Sequence, residues 1–170
     1  YAFSQNIDAN GSPMSKSQIS KIIKVYNMAT KTGIPVVGIY DSIGAKLQEG
    51  NEMLSLYGEL LRISNNISGV VPQISVVLGT CFGTSSMISA SADILIMTES
   101  SQIGIDVSGE LSSAESARKS GISHLVLKDE KSAILKARSL IEMLPSNNLE
   151  SPIKFESEFE VSDVKISTSS

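Results

Sequence analysis

The chain has 170 residues, 41% hydrophobic and 19% charged, enough for one globular domain with a real apolar core. Its 14 lysines and arginines stand against 18 acids, a net charge of −4, and no basic cluster is laid out to follow a phosphate backbone, which excludes nucleic acid as a partner. The single cysteine, Cys81, excludes an internal disulfide, the single histidine excludes a histidine-cluster metal site, and no apolar run reaches the roughly 20 residues of a membrane span. A reducing compartment, the cytoplasm, and a site without metal are the expectation.

Tyr1 to Ser4 reads as a short strand, and Asn6 to Pro13 is dense in turn formers. From Ser15 to Lys31, Ile19, Ile22, Ile23, Tyr26 and Ala29 recur at offsets of three and four, which predicts an amphipathic helix stopped by Gly33. Ile34 to Tyr40 is an apolar strand, and Asp41 to Ala45 a turn out of it. The next helix is expected from Ala45 to about Ser64, with Leu47, Leu54, Tyr57 and Leu61 on one stripe. Leu54, Leu56, Tyr57, Leu60 and Leu61 together cover more than one face of it, which predicts a second packing partner.

Ile74 to Leu78 is a β-branched run suited to a strand covered on both faces, and Gly79 to Ser86 reads as a sharp strand-to-helix turn. A turn of this kind aims the unpaired N–H groups of a helix start at whatever sits in front of it. Strands are then expected at 93–97, 102–105 and 123–127, with helices from Ser112 to Lys119 and from Asp129 to Leu144. Alternating strands and helices indicate a parallel sheet with crossovers, although the extra strands between 93 and 105 argue against a simple doubly wound order. The composition changes after this point. Residues 150–170 read as a linker or tail, leaving 1–149 as the domain.

Several segments in order carry a resemblance: Ala2-Phe3-Ser4-Gln5, Lys31 to Gly38, Asp41 to Gly50, Ser68 to Ser75, Ser120 to His124 and Leu144 to Leu149. Together they resemble the N-terminal half of the carboxyltransferase subunit of biotin-dependent acyl-CoA carboxylases, the propionyl-CoA type and the related decarboxylases. The resemblance implies an α/β, crotonase-like (ClpP/crotonase) fold of stacked ββα units and acyl-CoA as substrate. It further implies biotin carried by a partner, a C-terminal carboxyltransferase half and a homo-oligomer, trimeric or hexameric.

The turn Asp41 to Lys46 matches the family's D-S-G-G-A-R, and Thr80 to Ser85 its P-C-A-G-G-A. The resemblance therefore assigns oxyanion donation to the backbone of Gly83 and Thr84, with Gly44 and Ala45 as a second set, and ligand contact to Lys46, Ser42, Phe82 and Ser85. Departures stand at Ile43, Lys46, Thr80, Phe82, Thr84 and Ser85, and the chain is about ten residues shorter than the family between Ile103 and Ser113. These departures support a second expectation, a degenerate assembly or regulatory subunit that keeps the fold without the activity.

A remote third expectation, a ClpP-like serine peptidase, draws on Ser85, Ser86, His124 and Asp93. On general grounds His124 is a hydrogen-bonded structural residue, and Cys81 a buried, inert thiol.

Overall fold

The computed structural model describes residues 1–6, 8, 12–105, 112–151 and 154. Residues 106–111 of the shortened segment and most of the expected tail lie outside the described residues. Five strands form one parallel sheet in the order β1 (Ala2–Ser4), β2 (Val36–Ser42), β3 (Gln73–Phe82), β4 (Ile94–Thr98) and β6 (Leu125–Leu127). A further strand, β5 (Gln102–Gly104), pairs with the far half of β3.

β3 is the axis of this arrangement. Its first half pairs with β4 from Ile74 to Val77, and its second half pairs with β5 from Thr80 to Phe82. The expected turn at Gly79 is therefore corrected: the chain stays extended through Phe82, because Thr80, Cys81 and Phe82 have ladder partners in β2 and β5 that no local pattern reveals.

Helix α1 (Lys16–Thr32) begins where Ser15 Oγ accepts the Gln18 N–H at 3.3 Å, and ends at Gly33 in the left-handed conformation. It buries the five residues expected of it: Ile19, Ile22, Ile23, Tyr26 and Ala29. The expected helix from Ala45 is broken in two, a single 3₁₀ turn over Leu47–Glu49 followed past Gly50 by α2 (Glu52–Asn66). The buried stripe of α2 is Met53, Tyr57, Leu60 and Ile63, which keeps Tyr57 of the expected stripe but leaves Leu54 73% exposed. Leu56 and Leu61 pack partly against the same core, so the expected second apolar face shrinks to Leu54.

Helices α3 (Thr84–Ala90) and α4 (Ala114–Lys119) are short. Helix α5 (Glu130–Met143) starts at Asp129, whose carboxylate accepts the Ser132 N–H at 2.7 Å. α5 packs Ala133 and Ala137 on the face of the sheet opposite α1 and α2, against Ile74, Val76 and Ile96. The chain then returns: Asn147 Nδ2 donates to the Gly33 carbonyl and the Asn148 N–H to the Val70 carbonyl, both at 2.9 Å. The residues just before the expected tail are thus tied to the approach to β3 and to the end of α1.

Candidate active site

Because β2 and β3 are parallel neighbours, the turns that leave them lie side by side at the same end of the sheet. Ser42 pairs with Cys81, and just beyond this pair the turns almost touch: a Cβ at Gly44 would stand 3.2 Å from the Phe82 carbonyl oxygen. Gly83 carries φ 63° and ψ −138°, a conformation closed to other L-residues, and this lets the chain reverse from β3 into α3 within one residue.

The four expected backbone donors divide into two pairs. The Gly44 N–H donates to Ser42 Oγ at 3.2 Å and the Gly83 N–H to the Gly104 carbonyl at 3.0 Å. The N–H groups of Ala45 and Thr84 have no acceptor among the described residues. Thr84 opens α3, where the first N–H groups lack an intrahelical partner by construction.

The side chains of the turns are largely committed. Ser42 is fully buried and its Oγ donates to the Ser12 carbonyl at 2.6 Å, while Ser85, also fully buried, donates to Met14 Sδ at 2.7 Å. Phe82 is buried as well. From these three positions, a ligand at the mouth of the turns meets backbone rather than functional groups. Lys46 stands at the rim with its amino group 3.2 Å from Glu49 Oε1, and Ile43 projects outward, 52% exposed. The Lys16 N–H first and Lys46 second hold the Glu49 carboxyl below its usual range. Burial pushes the Cys81 thiol up to about 12, and its Sγ lies 3.4 Å from Ser89 Oγ, so the helix start does not acidify it.

Two residues of this region had no role assigned from the sequence. Met14 bridges the first turn, its N–H donating to the Gly44 carbonyl at 2.7 Å and its carbonyl accepting the Lys46 N–H at 3.1 Å. Asp41 reaches across to β3, where Oδ1 accepts the Thr80 N–H at 2.9 Å. Neither leaves a local signal, since each contact spans about 30 residues or more of chain.

The serine peptidase arrangement is not assembled. Asp93 Oδ2 accepts the Gln73 N–H at 2.8 Å, and His124 Nδ1 accepts the Leu95 N–H at 2.9 Å, both toward the beginnings of β3 and β4. Ser85 and Ser86 lie beyond the other end of β3, about 30 Å of strand away at the usual rise.

The carboxyl transferase domain family matches residues 1–167. The chain belongs to that family. This carboxyl transferase domain is 37% identical to the methylmalonyl-CoA decarboxylase alpha subunit of Veillonella parvula, over 88% of this chain and 32% of that protein. It is 38% identical to the propionyl-CoA carboxylase beta chain of Saccharopolyspora erythraea, over 88% of this chain and 30% of that one. The carboxyl transferase domain thus spans about a third of the length of the curated relatives it matches.

Among solved structures, the transcarboxylase 12S hexamer with hydrolysed methylmalonyl-coenzyme A bound superposes with a TM-score of 0.86 at 33% identity, covering 95% of this chain and 35% of that one. A Pseudomonas malonate decarboxylase hetero-dimer, at 17% identity, shares the fold with a TM-score of 0.74 over 83% of this chain and 68% of its own. The fold of this carboxyl transferase domain is crotonase-like, as the sequence resemblance implies.

Proposed function

We propose that this domain binds an acyl-CoA and polarises its thioester carbonyl with the backbone N–H groups of Ala45 and Thr84, within a biotin-dependent carboxylation or decarboxylation. The observation that carries the reading is the pairing of the two turns, each offering an N–H with no acceptor among the described residues. Removing a proton, or carbon dioxide, from the carbon next to a thioester places negative charge on the carbonyl oxygen. Fixed donors stabilise that charge by about 3–4 kcal/mol for each one lost in comparable sites. Phe82, Ser42 and Ser85 then act through the backbone they hold in place, and Lys46 meets the coenzyme from the rim.

In this reading the biotin arrives on a carrier protein, a C-terminal half completes the site, and the assembly is a cytoplasmic trimer or hexamer. Calorimetric titration with acetyl-, propionyl- and malonyl-CoA tests it, and absence of heat with all three from a folded sample would refute it. Sedimentation equilibrium reads the assembly separately, where a clean monomer would refute self-association.

A second reading, a subunit that keeps the fold for assembly and has lost the reaction, is favoured by Ile43. This half-exposed β-branched side chain, beside Gly44, stands at a position where the family pattern has a glycine. Normal carboxyl transfer after mixing with a biotinylated carrier and a C-terminal half would dismiss it.

A further inference from the structure

Between Tyr40 and Ser42 the ladder joining β2 to β3 changes register. Tyr40 pairs with Val77, an offset of 37, and Ser42 pairs with Cys81, an offset of 39, so β3 carries two extra residues on this stretch. A shift of two preserves the alternation of inward and outward side chains, but it takes backbone groups out of the ladder. Thr80 N–H is one of them, and Asp41 Oδ1 accepts it at 2.9 Å, with Thr80 Oγ1 at 3.5 Å from the same oxygen.

β3 also changes its other neighbour here, from β4 to β5, and the Leu78 carbonyl accepts the hydroxyl of the buried Thr98 at 3.0 Å. The fork is thereby pinned from both sides by side chains. Gly79 makes the room, since a Cβ at that position would lie 2.2 Å from Asp41 Oδ1.

We propose that Asp41 is a positioning residue for the oxyanion site, a proposal that rests on the acyl-CoA reading above. In this role Asp41 acts through Thr80 and not on the ligand itself. By anchoring Thr80 it fixes how far β3 runs past β2, and so the level of the Thr84 N–H relative to that of Ala45. Two donors on separate turns serve one oxygen only if that offset is held. A slip of one residue moves a donor by about 3.3 Å, several times the tolerance of a hydrogen bond.

The test uses the full chain with propionyl-CoA labelled at the thioester carbonyl, read by difference infrared spectroscopy, with free CoA affinity measured in parallel. In the unaltered protein, binding is expected to lower the carbonyl stretching frequency. Asp41→Asn, whose amide oxygen still accepts from Thr80, is expected to keep that shift. Asp41→Ala is expected to lose most of it and to weaken propionyl-CoA by about tenfold, while free CoA changes by no more than about twofold.

A folded Asp41→Ala protein with the full shift would overturn the positioning role and leave the acyl-CoA reading standing. No shift in the unaltered protein would overturn both. If Asp41→Ala does not fold, Gly79→Ala, which retains the carboxylate but displaces it, takes its place: a lost shift supports the role and an intact one rejects it.

Discussion

Asp41 Oδ1 occupies the volume in which a side chain at Gly79 would begin, 2.2 Å from where its Cβ would stand. The carboxylate and the glycine are one device. Gly79→Ala pushes the carboxylate off the Thr80 N–H and leaves that donor orphaned in a part-buried strand, so it is expected to destabilise the fold by about 1–3 kcal/mol. Urea unfolding of the two proteins measures this, and an unchanged midpoint would show that the carboxylate finds another seat.

Cys81 gives a prediction about alkaline stability. Burial raises its thiol from 9.0 to about 12, so the unfolded chain ionises at a pH where the folded chain does not. Its contribution is fully present below pH 9 and is lost as pH rises toward 12. Tyr26, raised by burial from 10.0 to about 12, acts in the same direction over a slightly later window. Denaturation midpoints should fall between pH 9 and pH 11 more steeply than in Cys81→Ala. An aromatic disulfide reagent should label Cys81 only after unfolding.

His124 is expected to matter for stability and not for ligands. Its ring Nδ1 accepts the Leu95 N–H at 2.9 Å, and its backbone N–H donates to the Leu95 carbonyl at 3.0 Å. His124→Ala should cost about 1 kcal/mol of folding stability and leave acyl-CoA affinity intact. A loss of binding without a loss of stability would return this histidine to the functional site.

Ile43→Gly tests what the exposed side chain does at the mouth of the turns. With 52% of Ile43 in water, little core is removed, and the main stability effect is the roughly 0.5–1 kcal/mol entropic penalty of glycine. Propionyl-CoA should bind more tightly relative to free CoA if the side chain crowds the acyl group. Equal affinities before and after would show that Ile43 clears the ligand.

The parts that read correctly from the residues alone are those whose causes are local. Ser15 and Asp129 cap helices whose apolar spacing is regular, Gly33 ends α1, and each boundary falls within a residue or so of its expected place. Gly79 was misleading because its cause is remote: it reads as a turn former, yet it sits mid-strand to admit Asp41 from the neighbouring strand. Likewise Gly50 splits the expected helix after Ala45, and the buried stripe of α2 rotates to face α1 and α3 rather than follow Leu54. The two turns were legible because small residues cluster there. Met14 and Asp41, which hold them together, were not, since nothing in the intervening residues encodes the contact.

The fork in β3 bears on how the molecule opens. The half of the strand from Gln73 to Val77 lies between two full neighbours, whereas the half bearing the site leans on the three residues of β5. Cooperative units with fewer neighbours exchange their amides through cheaper partial openings. Thr80 to Phe82 should therefore exchange hydrogen faster than Ile74 to Val77. Release of β5 would also free the Gly83 N–H from the Gly104 carbonyl, so the same fluctuation that loosens the strand transiently uncovers another backbone N–H beside that of Thr84.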